Sequence, residues 1–199
     1  MFARHILVAL GLALSVAGCA TMDTATRSAP IEVPGLAAVS PSFKVEAVRV
    51  TVPDSLSISE ANRYYPIADI VWRGDAMGDR RKQVQDIFME SARRSISQLE
   101  GVQPVKVDIR VQRFHSLSEK ARYTVGGDHN MHFTMTVLDA ATDTVLVPER
   151  LIKANLDAFG GQRAIAEEAR GNGQKVRVTA YLAEVLGAEL SRPLVPTAF

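Results

Sequence analysis

The side chains best suited to chemistry crowd into one stretch, Arg113 to His132 (RFHSLSEKARYTVGGDHNMH), which holds three of the four histidines. Imidazoles together with Asp128 or Glu119 are the residue types of a zinc site, which needs three or four ligands converging at about 2 Å. The spacing opposes convergence: His129 and His132 are three apart and would fall on opposite faces of one strand. No metal is therefore assigned. Arg113, His115, Arg122, Tyr123, Asp128, His129 and His132 remain as a polar surface for a partner or a small ligand. Gly126-Gly127 supplies positive φ angles for a turn there. Elsewhere there is no G-x-S-x-G, S-x-x-K or H-E-x-x-H pattern and no Walker loop, so no catalytic residue and no cofactor are assigned, and the chain is expected not to be an enzyme. Arg80, Arg81 and Lys82 open a helix, where the macrodipole disfavours cations. They are expected to form a solvated cluster, with lipid headgroups the alternative.

The only cysteine, Cys19, ends an apolar run. Met1 to His5 is short and carries Arg4, and the 15 residues from Ile6 to Ala20 contain no charge. That is a secretory signal peptide by layout, and it falls short of the roughly 20 residues that span a bilayer. Val16-Ala17-Gly18-Cys19 resembles the lipobox of bacterial lipoproteins. The resemblance implies cleavage after Gly18, diacylglyceryl attachment to the Cys19 thiol and acylation of the new amino terminus. Two or three chains at about 0.8 kcal/mol per buried CH₂ make a stable anchor. Ala20, rather than Asp, follows the cysteine, which by the same analogy implies the outer membrane, periplasmic face.

Removal of residues 1–18 takes away Arg4 alone, leaving 22 basic against 22 acidic side chains. A neutral mature chain offers no electrostatic case for nucleic-acid binding. With its one cysteine lipidated, it forms no internal disulfide. Residues 19–42 are rich in Ala, Thr, Ser and Pro and read as a flexible tether after the lipidated cysteine. Residues 43–191 have the length of one domain, and 192–199 are a tail. Nothing in the pattern fixes an oligomeric state.

The elements that must position the 113–132 stretch follow from periodicity. Phe43–Pro53, Ile67–Arg73 and above all Pro104–Phe114 read as strands, the last with Val105, Val107, Ile109 and Val111 on one side. Met131–Ala140 and Thr144–Ala158 flank the turn Ala141-Thr142-Asp143 as a hairpin, and Pro148 argues for an edge or a bulge. Val84, Ile87, Phe88, Ala92, Ile96 and Leu99 mark an amphipathic helix over 79–100, with Asp79 as N-cap and Gly101 as C′ stop. Ile165 and Val176 are 11 residues apart, close to three turns, so one long helix over 162–191, kinked at Gly171-Asn172-Gly173, is expected. Trp72, Phe88, Phe114 and Phe133 are assigned to the core. The fold class is α+β: an antiparallel sheet of four to five strands with two helices packed on one face.

With G74-D-A-M-G-D-R80, R113-F-H, E119-K-A-R-Y-T-V-G-G127 and A169-R-G through Q-K-V-R177, the chain resembles a family of uncharacterised proteobacterial lipoproteins defined as a domain of unknown function. That resemblance transfers no activity. Its element order is also similar to small α/β accessory lipoproteins of envelope transport and assembly, an analogy of fold alone. The expectation is a non-enzymatic outer-membrane lipoprotein, bound to the membrane through its lipid, whose domain engages an envelope protein through the 113–132 region or a sheet edge. The alternative is a periplasmic small-ligand or metal binder using His115, His129 and His132.

Overall fold

The computed structural model of the chain describes residues 40–194. The expected signal peptide, Cys19, the expected tether up to residue 39 and the tail beyond residue 194 lie outside the described residues.

The alternation of Gln103–His115 (β3) does what its pattern requires: Val105, Val107, Ile109 and Val111 are buried, while Lys106, Asp108 and Arg110 are not. Two long strands extend it, β4 (Gly127–Asp139) antiparallel to β3 and β5 (Val145–Ala158) antiparallel to β4. On the other edge of β3, β1 (Phe43–Thr51) pairs along Gln103–Arg110 and the two-residue β2 (Ile70–Val71) pairs with Phe114 and His115, both in parallel. The α+β class and the four to five strands are as expected; the pairing is mixed rather than wholly antiparallel. The physical reason is that the segment from β1 to β3 contains a helix, which returns the chain to its starting end, and such crossovers make parallel neighbours.

Two irregularities rescue the core pattern where alternation alone would fail. Register shifts at Val45/Ala47 and at Val111/Arg113 each advance the phase by one residue. Val45 and Val48 thereby both pack against the core, as do Val111 and Phe114. The β4–β5 turn is tied by the Asp139 carboxylate, which accepts from Ala141 N at 3.1 Å and Thr142 N at 2.9 Å. Pro148 lies in the edge strand β5 beside a further register shift, so both readings of it hold.

Helix α1 (Arg80–Ile96) begins at Asp79, whose side chain accepts from Lys82 N at 3.1 Å. It ends at Ile96 with Ser97 as C-cap, before the expected Glu100. Gly101 has a different duty from a C′ residue: a Cβ there would stand 2.0 Å from the Phe43 carbonyl oxygen, so β1 and the start of β3 approach only because it has none. The expected long C-terminal helix is two, α3 (Gly161–Ala169) and α4 (Gln174–Leu190). Gly171 takes φ +77°, which ends the first, and Gly173 caps the second. The in-phase stripe fails with it: Ile165 and Val176 are exposed, and the buried face of α4 is Val178, Leu182, Leu186 and Leu190 at four-residue steps. Helices α1 and α4 pack on one another and on one sheet face, with the Ser91 hydroxyl 3.0 Å from the Thr179 carbonyl between them. Trp72, Phe88, Phe114 and Phe133 form the aromatic centre of that core, in edge-on pairs at 5.2 to 6.1 Å.

Candidate functional site

Phe43, where the described domain begins its first strand, pairs with Gln103 at the start of β3, whereas the polar stretch begins where β3 ends. Twelve steps of about 3.3 Å separate Gln103 from His115, so the two ends of the sheet lie roughly 40 Å apart. At the far end the Ser118 side chain accepts from Ala121 N, capping the one-turn helix α2 (Glu119–Arg122). Gly126 and Gly127 then take φ +76° and +148°, which turns the chain into β4.

The loop before β2 folds onto this end. Tyr65 stacks on His115 at 4.5 Å, its hydroxyl accepts from Arg113 at 2.9 Å, and Lys120 lies 4.5 Å over the Tyr64 ring. The tip therefore shows Tyr64, Tyr65 and Ile67 to solvent, with Tyr123 and Val125 exposed on the connection between α2 and β4. Ile67 is 95% exposed. Sequence reasoning placed Ile67 in a strand and gave Tyr64 and Tyr65 no role; the Asn-Arg-Tyr-Tyr-Pro composition of a turn carrying two tyrosines was the available signal.

The three histidines do not converge. His115 is buried, with Nε2 2.8 Å from the Pro66 carbonyl, and burial pulls its pKa down. His132 lies on the opposite sheet face from His129, near Asn155 at 3.2 Å, its pKa lowered by partial burial. His129 is 1% exposed, with Nδ1 2.7 Å from the Ser116 hydroxyl. Burial, and then the nearby Arg177 and Arg122 cations, push its pKa down to about 3. So His115 and His129 are not surface groups: the odd positions of β4 face the core, and the shift at Val111/Arg113 leaves His115 under Tyr65. Among the described residues no three His, Cys, Asp or Glu side chains are grouped as metal ligands.

Ser116 and His129 have the composition of a nucleophile and base. Both are buried, and a histidine with a pKa of about 3 does not take a proton at neutral pH. The pair holds the end of β3 to the start of β4. Beyond it, His129 and Gln174 line a small cavity of about 10 Å³, together with Arg122, Glu168 and Arg177. Arg122 is taken up by Glu168. Asp128 and Tyr123 stay at the surface.

Of the helix-start cations only Lys82 is solvated as expected; Arg80 and Arg81 are drawn into contacts with the chain. Arg80 is 4% exposed and donates to Glu60 at 2.8 Å, Arg81 donates to the carbonyls of Asp54 and Leu56, and Lys82 pairs with Asp86. Arg80 and Arg81 tie the long segment before β2 to α1, while Lys82 pairs within the helix at the surface.

No curated protein matches the chain. Among solved structures, a candidate lipoprotein from Caulobacter crescentus CB15 is 14% identical with a TM-score of 0.36, over 58% of this chain and 83% of its own. A Xanthomonas campestris protein of the DUF330 family model is 12% identical with a TM-score of 0.47, over 76% of this chain and 87% of its own. Likeness at that level carries no functional argument. Residues 43–198 match the model of DUF6778, a family of unknown function, and the chain belongs to that family.

Proposed function

We propose that this protein is an outer-membrane lipoprotein, anchored through Cys19 on the periplasmic face, whose domain is a non-enzymatic binding or accessory module for another envelope protein. The observation that carries the binding role is the placement of Tyr64, Tyr65 and Ile67 at the end of the sheet opposite Phe43. Aromatic and aliphatic side chains held out to solvent by a packed base are the makings of an interface centre, where Tyr and Arg dominate binding energy. A domain joined to its tether at one end leaves the other free to meet a partner. The non-enzymatic reading rests on the burial of Ser116 and His129, the nucleophile and base that stand together. The anchor rests on the lipobox sequence and on Ala20 after the cysteine.

Envelope fractionation with mass spectrometry of the mature amino terminus tests the anchor: the expected species begins at a diacylglyceryl-modified Cys19 in the outer membrane. A chain starting elsewhere, or found in the inner membrane, overturns it. Crosslinking in intact cells tests the binding role, and recovery of the protein alone counts against it. A metal site built from His115, His129 and His132 is not supported, because they point into three different environments.

A further inference from the structure

The sheet has two outer edges, and they differ. On β1 the Val50 carbonyl accepts from Gln85 of α1 at 3.0 Å, and just past the strand the Pro53 carbonyl accepts from Arg81 at 3.4 Å. β5 ends the strand order on the other side, and among the described residues its only ladder partner is β4. Side-chain contact with its outer backbone is confined to the far end, where Arg177 donates to the Asp157 carbonyl at 2.7 Å. Unpaired N–H and C=O groups along a strand are a template for another strand.

The side chains of β5 select which strand. Register with β4 sets Leu151 beside Thr134 and Lys153 beside His132, on the sheet face away from α1 and α4. Arg150 turns the other way, to Glu189 of α4, so Glu149 next to it shares the face of Leu151. Glu149, Leu151 and Lys153 are exposed, Leu151 by 55%. Arg150 is taken by Glu189, whereas Glu149 and Lys153 enter no ion pair among the described residues. Four residues at about 3.3 Å apiece hold these two about 13 Å apart, too far to pair on their own strand. Reversed upon itself, the run from Glu149 to Lys153 is self-complementary: with Leu151 opposite Leu151, each Glu149 faces a Lys153. Centring the pairing on Glu149 or Lys153 opposes like charges, and centring it on Arg150 or Ile152 leaves both charges unmatched. Pro148, which has no N–H, ends the pairing.

We propose that β5 pairs antiparallel with β5 of a second copy of this chain, about a two-fold axis at Leu151, joining the two sheets edge to edge. A two-fold contact presents one patch to itself, which is the relation this run satisfies. Five residues a side are fewer than the roughly 20 to 30 of a stable interface, so the contact is transient in dilute solution and is read by a covalent trap.

The test is a disulfide across the axis, formed with a mild oxidant in intact cells producing the full-length protein. Cα atoms directly opposite in an antiparallel pair stand about 4.5 to 5.5 Å apart, within the roughly 4.4 to 6.8 Å that a disulfide spans. Leu151→Cys is expected to give an adduct of twice the chain's mass. Asn155→Cys lies four residues from the axis, which sets the two thiols about 26 Å apart, and is expected to give none. Wild type run alongside reports any disulfide through Cys19. In the Leu151→Cys background, Glu149→Lys or Lys153→Glu alone should cut the adduct roughly tenfold, and the two together should restore it. All four positions are exposed, so folding is not at stake. No dimer from position 151, equal trapping from position 155, an adduct with a different protein only, or no recovery in the charge-swapped double variant would overturn the pairing.

Discussion

The Ser116 hydroxyl stands 2.7 Å from Nδ1 of His129, and both side chains are sealed from solvent. A pairing that in a cleft would suggest acyl transfer is here a clasp between the end of one strand and the start of the next. The pKa of His129, pushed down to about 3 by burial, follows from the same enclosure.

That enclosure makes the fold acid-sensitive. His129 has a folded pKa of about 3, below the 6.5 of an ordinary histidine, so between those values the unfolded chain binds more protons. Stability is full above that window and falls as pH drops through it. At about 1.4 kcal/mol per pKa unit, acidification from pH 6.5 to about 5 removes roughly 2 kcal/mol through this residue. His115 and His132 shift in the same direction, so His129→Gln should shallow the acid slope without abolishing it. Urea midpoints at both pH values check this; an unchanged slope would contradict it.

Glu60 neutralises two nearly buried arginines, Arg80 at 2.8 Å and Arg73 at 2.5 Å. The hydrogen bond from Arg80 is the main cause of its lowered pKa. Glu60→Gln should destabilise by about 2 kcal/mol, since it leaves buried cations short of their counter-charge. Chemical denaturation of the variant reads the loss, and a change below about 0.5 kcal/mol would show these ion pairs to be ordinary surface contacts.

Gly101→Ala should be among the most damaging small substitutions in the domain. Its Cβ would lie 2.0 to 2.4 Å from the carbonyl and amide of Phe43, and backbone on both sides must yield. The expectation is a loss of about 3 kcal/mol or more, well above the roughly 1 kcal/mol typical of single changes. Gly171→Ala is the contrast: a Cβ there meets nothing within 4 Å, so its cost is that of φ +77° alone, about 1 kcal/mol.

How much of this was legible in the sequence depends on the range of the interaction that decides each element. Val105, Val107, Ile109 and Val111 alternate without interruption, and β3 was readable from them. Asp79 as N-cap and Gly126-Gly127 as a turn were readable because caps and turns are local. The parallel partners of β3 were not, because pairing is chosen by tertiary packing between residues 44 to 60 positions apart. The break at Gly171-Asn172-Gly173 was seen and underweighted: an 11-residue spacing preserved phase on paper, but Val178, Leu182, Leu186 and Leu190 carry the buried face. Within the 113–132 stretch, composition located the end of the sheet where polar groups gather. It could not tell that His115 and His129 turn inward, because a one-residue register shift at Val111/Arg113 and the closing of Tyr65 over His115 are not encoded in type or spacing.

The central claim is that the anchored domain meets its partner through the end remote from its tether. A photo-crosslinking side chain placed at Ile67 in the full-length protein, compared in intact cells with one at exposed Lys44 near Phe43, tests it most directly. The account predicts one discrete envelope-protein adduct from position 67, none from position 44, and its loss when Cys19→Ala removes the anchor. No adduct from position 67, or equal labelling from both ends, would contradict it.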